Sequence, residues 1–413
     1  MSDLPASIHQ RHDFTAKLRQ ESVLPMISSY IAWQKAVREA FIAGQEPPAL
    51  PSKFGPLSIN LDLTTACNYR CDHCIDWDIL NSRAKYQHQK LLLSLESMIR
   101  QGLRSVILIG GGEPTLYPGF GDVVSFLKKQ KVQVAVVSNG SRNKAIYDTA
   151  HFFTRKDWVR LSLDSGTNET FQRMHKPVRN ISLEEICSSV PKIRERNPDL
   201  QIGFSFIITW QGATRGKEVE VVPNIDEIVT ATKLAREHQF NYISFKPFLT
   251  RFENGGEVLD AEAIVEFKNT LVAIRGAIHT AKEFETPSFQ VLESINLKVL
   301  ESESFEEWKR QPNMCHMQAL RQVLSPLGLF NCPAHRGVAK ARIASPEAYS
   351  SEGHTKETQA STATILGNFN AEKECREVTC IYNPTNWWLE NAIQGNIPQE
   401  NLEALPDQGD YFL

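Results

Sequence analysis

"TTACNYRCDHC", residues 64–74, places Cys67, Cys71 and Cys74 at spacings of four and three, directly after a strand-like run. The chain has eight cysteines in 413 residues, so three in one loop is a concentration. Thiols this close along the chain are poor disulfide partners and add little to packing, whereas they suit a metal centre. Three thiolates on an iron–sulfur cluster leave one iron open to a substrate or cofactor. A structural zinc ion asks for four ligands, and His73 in the same loop offers a fourth. On the loop alone both readings stand.

The sequence on either side of the loop decides the fold. "SINLDLTT", "SVILIG", "VQVAVVS", "WVRLSLD", "QIGFSFIIT" and "NYISFKPF" read as six strands between residues 57 and 250. Helical patterns such as "LLLSLESMIRQG", "FGDVVSFLKK", "LEEICSSVPKIRER" and "IDEIVTATKLAREH" separate them. Such alternation predicts βαβ units and a parallel sheet. Central parallel strands are normally apolar on both faces. Here Asn60, Asp62 and Thr64, then Arg160, Ser162 and Asp164, then Ser205, Ser244 and Lys246 put polar groups on one face. A wide barrel with a wet lumen accounts for that pattern. A sheet with one solvated face is the alternative, and the intervening helices fit it worse.

With strands and loops in place, the motifs resemble the radical S-adenosylmethionine (radical SAM) superfamily. Cys67-x3-Cys71-x2-Cys74 follows the first strand, "GGEP" (Gly111, Gly112, Glu113, Pro114) the second, and "SNG" (Ser138, Asn139, Gly140) the third; "SLDSG" (Ser162 to Gly166) spans the end of the fourth. His73 stands where the family usually has an aromatic or apolar residue. The resemblance implies a partial (β/α)6 TIM-like barrel and a [4Fe-4S] cluster on Cys67, Cys71 and Cys74, with S-adenosylmethionine (SAM) chelating the fourth iron. It also implies reductive cleavage of SAM to a 5′-deoxyadenosyl radical that abstracts hydrogen, with a flavodoxin- or ferredoxin-type electron donor. Gly111 and Gly112 let backbone carbonyls approach the SAM amino group; Glu113 can add a carboxylate, and Ser138, Asn139, Ser162 and Asp164 are placed for ribose or carboxylate.

Cys315, Cys332, Cys375 and Cys380 form a second group around a hairpin expected at Ser325-Pro326-Leu327-Gly328, while Cys187 lies in an apolar-periodic helix and reads as core. Together with "ILGNFN" (365–370), this group resembles the Twitch or SPASM auxiliary-cluster extension of radical SAM enzymes, and four ligands imply one further [4Fe-4S] cluster. A structural zinc site would use the same four, with His316 a possible substitute ligand. The expected organisation is a helical segment (1–56, its helix at Ile27–Phe41), the barrel (57–250), a mostly helical connection (251–312) and an auxiliary-cluster domain (313–413), whose tail from 345 reads as turn-rich and irregular.

The composition is that of an ordinary globular protein: 41% hydrophobic, 23% charged, formal charge −3. It indicates no general nucleic-acid or membrane-surface binder. No secretory signal or membrane-length apolar run is visible, so a cytoplasmic setting with reduced thiols is expected. An auxiliary cluster suits oxidation or rearrangement, and the substrate is read as a small sugar- or nucleotide-like molecule. Residues 1–56 look too short for a leader-binding module, although a ribosomally made peptide remains the alternative substrate. A zinc-stapled binding protein is the non-enzyme alternative. Lys246 and Glu253, with Arg251, are candidates to contact substrate; Asp62, His175 and His316 are further conceivable bases.

Overall fold

The six runs read as strands form the centre of one sheet. The computed structural model describes residues 12–216, 218–251, 255–261 and 263–413. The strands are β1 (Ser58–Leu61), β2 (Ser105–Leu108), β3 (Gln133–Ser138), β4 (Trp158–Ser162), β5 (Gln201–Ile208) and β6 (Tyr242–Pro247). Four more join them: β7 (Gln290–Glu293), β8 (Arg321–Ser325), β9 (Gly328–Phe330) and β10 (Arg342–Ala344). The order across the sheet is β7-β6-β5-β4-β3-β2-β1-β8-β9-β10. Every pairing from β7 to β8 is parallel, and only β8–β9 and β9–β10 are antiparallel. This is the α/β, partial TIM-like architecture expected.

Crossover helices cover the outer face. His88–Arg100 buries Leu91, Leu95 and Met98 on one stripe, and Leu183–Cys187 starts at a capping box made by Ser182 and Glu185. The main core lies between these helices and the apolar strand face, with Ile59, Leu61, Val106, Val134 and Leu161 fully buried. Cys187 is buried in this core, as its position in the helix implied.

Three expectations need correction. The stretch after 251 contains helix Phe267–Lys282 but also β7, whose "QVLE" pairs parallel with β6. The hairpin turns at Ser325–Gly328 as read, yet β8 pairs parallel with β1, so the hairpin continues the barrel sheet. The tail is not irregular: it holds helices Glu352–Asn368 and Asn383–Gln394. Asn383–Gln394 packs with helix Leu24–Ile42 in a second core that includes Tyr30, Phe54, Leu389 and Ile393. That apolar contact ties the tail to the N-terminal helix.

Residues 409–412 close the N-terminal end of the strands. Ser105 Oγ donates to Tyr411 O at 2.8 Å, and Tyr411 N donates to Gln133 Oε1 at 2.9 Å. The Phe412 ring lies 5.5 Å from Trp158 and packs on Ile107 and Ala135. The opposite end, where the strands deliver their C-terminal loops, is where barrels of this kind carry chemistry. Among the described residues, no helix is long and apolar enough to cross a membrane.

Candidate active site

The loops after β1, β2 and β3 are bound to one another. Glu113 is 3% exposed. Its Oε1 accepts from Ser138 Oγ (2.8 Å) and Thr115 N (3.0 Å), while Oε2 accepts from Asn139 N (2.7 Å). Asn139 Nδ2 donates to Asn68 Oδ1 at 2.9 Å, and Glu113 N donates to Ala66 O at 2.8 Å, both within the cysteine loop. The glycine tract fits because it has no side chains. A Cβ at Gly112 would stand 2.5 Å from Ala66 O, and one at Gly111, where φ is +59°, would stand 2.7 Å from Asp62 Oδ2. Pro114 opens the short 3-10 turn that follows.

Cys67, Cys71 and Cys74 are half-buried free thiols sharing this pocket. Burial pushes Cys67 up to about 11, and burial with the nearby Asp76 pushes Cys74 up to about 12. Burial and the other two cysteines hold Cys71 well above the ordinary thiol value. Such thiols stay protonated until a metal displaces the protons. Beside them Cys71 Sγ lies 3.3 Å from His175 Nδ1, and Asp164 Oδ2 lies 3.1 Å from His73 Nε2 and 3.4 Å from His175 Nε2. Asp164 has φ +51° and also accepts from Ile207 N at 2.7 Å. Its carboxylate therefore faces the histidine pair. Burial alone would raise its pKa, but the His73 hydrogen bond and the histidine charges win and lower it.

Cys71, His73 and His175 bring three ligating atoms within 4.8 Å of one another, a spacing that among the described residues no other such trio reaches. Tetrahedral zinc–thiolate bonds of about 2.3 Å put ligand sulfurs only about 3.8 Å apart. Neither cysteine group is gathered that tightly.

The lumen wall carries the predicted polar face. Register sets Ser162, Ser205 and Ser244 abreast on β4, β5 and β6, with Lys246 one step beyond Ser244 on the same face. Burial, helped by Arg160, pulls Lys246 down to about 7. Glu253 lies outside the described residues. Further residues complete the wall, and of these Asp76, Asp78, Glu257 and Arg336 were not singled out from sequence. Arg336, 3% exposed, pairs with Asp62 at 3.0 Å and Asp76 at 2.7 Å, and Asp76 accepts from Gly111 N at 3.1 Å. Arg251 pairs with Asp78 at 3.1 Å. Burial raises both Asp62 and Glu257 to about 7. "IDWD" directly after Cys74 and "HR" soon after Cys332 were the available signals.

Cys315, Cys332, Cys375 and Cys380 line a single cavity of about 180 Å³. Burial, then Cys332, pushes Cys315 up to about 12, and burial pushes Cys332 up to about 11. Burial and the neighbouring cysteines likewise raise Cys375 and Cys380. His316 is not among the cavity's ligands. Its Nδ1 meets Tyr30 Oη and its Nε2 meets Glu390 Oε2, both at 2.9 Å, so it ties the N-terminal helix to the tail.

Residues 61–222 match the family model of the radical SAM superfamily. The chain is 26% identical over 245 residues to an S-adenosylmethionine-dependent nucleotide dehydratase of Psychrobacter lutiphocae, covering 53% of this chain and 79% of that protein. It is 29% identical over 114 residues to mycofactocin maturase MftC of Mycobacterium tuberculosis, covering 28% of this chain and 29% of that one. Among solved structures, Streptococcus suis SuiB bound to precursor peptide SuiA aligns at TM-score 0.54 and 14% identity, over 91% of this chain and 79% of SuiB. That likeness is one of fold.

Proposed function

We propose that the chain is a radical SAM enzyme holding a SAM-binding [4Fe-4S] cluster on Cys67, Cys71 and Cys74. A second, electron-accepting [4Fe-4S] cluster sits on Cys315, Cys332, Cys375 and Cys380. When bound, these groups supply reductive cleavage of SAM to a 5′-deoxyadenosyl radical for hydrogen abstraction, and an acceptor for a substrate electron. The substrate is a small polar molecule of sugar or nucleotide type, which is oxidised or rearranged.

The observation that carries this reading is the division of the cysteines. Three stand on a loop locked to a glycine tract, and four surround one cavity with sulfurs more widely spread than a single zinc ion asks. A cluster spreads its thiolates over separate irons. The chain's own residues prepare the pocket. Ser138, Thr115 and the Asn139 amide fix Glu113, leaving Oε2 with one donor and room for an ammonium group. Gly111 and Gly112 keep the backbone bare for a close approach, and Ser162 and Lys246 face the lumen for hydroxyl or anionic groups. Residues 409–412 exclude water from below.

The serines abreast on three strands suit a polyhydroxylated ligand, and the nucleotide dehydratase likeness points the same way. The maturase likeness over 114 residues favours a second reading, a ribosomally made peptide. Anaerobic reconstitution with iron and sulfide tests the cofactors. About eight irons in the parent and about four after Cys67, Cys71 and Cys74 are changed to Ala fit two clusters. Zinc with little iron would instead mark a stapled binding protein. Release of 5′-deoxyadenosine with nucleotides, sugars or short peptides then separates the substrate classes.

A further inference from the structure

Arg321, the first residue of β8, lines the cavity that gathers Cys315, Cys332, Cys375 and Cys380. It is 7% exposed. Its guanidinium is fixed on two sides. Nη2 donates to Asn60 Oδ1 at 2.6 Å, and the group lies 5.9 Å from the centre of the Tyr382 ring. Among the described residues, Nε and Nη1 have no hydrogen-bond partner.

A guanidinium cannot shed its proton, and a buried cation with unmet donors is costly. A fold that keeps such a buried cation beside a cavity calls for an anion there. Glu257 lines the same cavity but does not take up the free donors. Four thiolates on a metal centre are such an anion.

We propose that Arg321 is the internal counter-cation of the second iron–sulfur centre and holds its reduction potential up. This rests on the reading that the four cysteines carry a cluster. Reduction adds negative charge inside a region of low dielectric, so a fixed cation stabilises the reduced state more than the oxidised one. The same charge favours the centre as the acceptor of an electron from substrate. Arg321 is a positioning residue in this scheme, acting on the centre and not on the substrate.

The test uses the full chain with Cys67, Cys71 and Cys74 changed to Ala, so that only the second centre is loaded. In that background, Arg321→Gln and Arg321→Lys are titrated against potential and followed by electron paramagnetic resonance. We expect all three proteins to retain about four irons. We expect Arg321→Gln to make the centre at least about tenfold harder to reduce, about 59 mV for one electron, with Arg321→Lys close to the background protein. Iron lost from Arg321→Gln but kept at unchanged potential in Arg321→Lys would equally support a counter-charge. An unchanged potential in Arg321→Gln overturns the proposal, and so does loss of iron from both variants, since charge is then not what the centre needs. If the background protein itself carries zinc or no metal, the cluster reading fails, a result legible before any arginine variant is made.

Discussion

Cys67, Cys71 and Cys74 share one loop, whereas Cys315, Cys332, Cys375 and Cys380 reach their cavity from three separate stretches of chain. The first group is positioned by near neighbours: Cys67 N donates to Asn81 Oδ1 at 2.9 Å, and Cys74 N donates to Cys71 O at 3.3 Å. The second exists only once β8, β9 and the tail have docked. One group stops at three thiols; the other has four, gathered round one cavity. The contrast teaches that an open centre can be written into a short motif, while a closed one is written into the fold.

The largest expected effect cuts between the two. Changing Cys67, Cys71 and Cys74 to Ala should abolish SAM cleavage and leave the thermal midpoint within a few degrees of the parent, measured by product analysis and by calorimetry. Cys332→Ala should remove only the second set of irons, with SAM cleavage retained. Loss of both sets in Cys332→Ala would break the claim that the sites are separable.

Next comes the bridge between them. Arg336 lies four residues after Cys332 and pairs with Asp76, two residues after Cys74. Arg336→Gln leaves Asp62 and Asp76 buried without their cation, and we expect about 3–5 kcal/mol of destabilisation in denaturant unfolding. A smaller, local effect is expected of Gly112→Ala. A methyl 2.5 Å from Ala66 O and 2.6 Å from Thr64 O must push the cysteine loop aside. SAM binding to reconstituted protein should weaken at least about tenfold by calorimetry, with the second centre's iron unchanged.

The smallest effect concerns pH. Lys246 sits at about 7 in the folded state against 10.5 for an ordinary lysine. Between those values the unfolded chain holds more protons, so this group's contribution to stability rises with pH from about 7 to about 10. Lys246→Met should therefore be more stable than the parent at pH 7, read by denaturant unfolding. The gap should close towards pH 10, and activity should be lost. A constant gap across that range would show that the lysine's charge is not the cause.

The six barrel strands were legible because each is a short, β-branched, apolar-rich run between helical patterns, and the three-cysteine loop because its spacing is local. β7 was not, since its four residues sit between helical patterns. Helix Glu352–Asn368 escaped notice for another reason. Its buried face is mostly polar, Thr358, Gln359 and Thr362 with Ile365 and Leu366 only in the last turn, and Gln359 Nε2 donates to Gln101 Oε1 at 2.7 Å. The Arg336–Asp76 pair joins residues 260 apart in sequence, which no local pattern announces. The four late cysteines could be counted from sequence, but their common cavity and the arginine beside it belong to tertiary packing.

Residues 409–412 carry a consequence for how the molecule is made. On the ribosome, β1 to β6 emerge early, but the residues that stopper the strands' N-terminal end come hundreds of positions later. The β1–β8 pairing likewise waits for Arg321 to meet Ser58. Until residues 409–412 are made, the nascent barrel is therefore a sleeve without its stopper. Only with Phe412 against Trp158 does it become a cup.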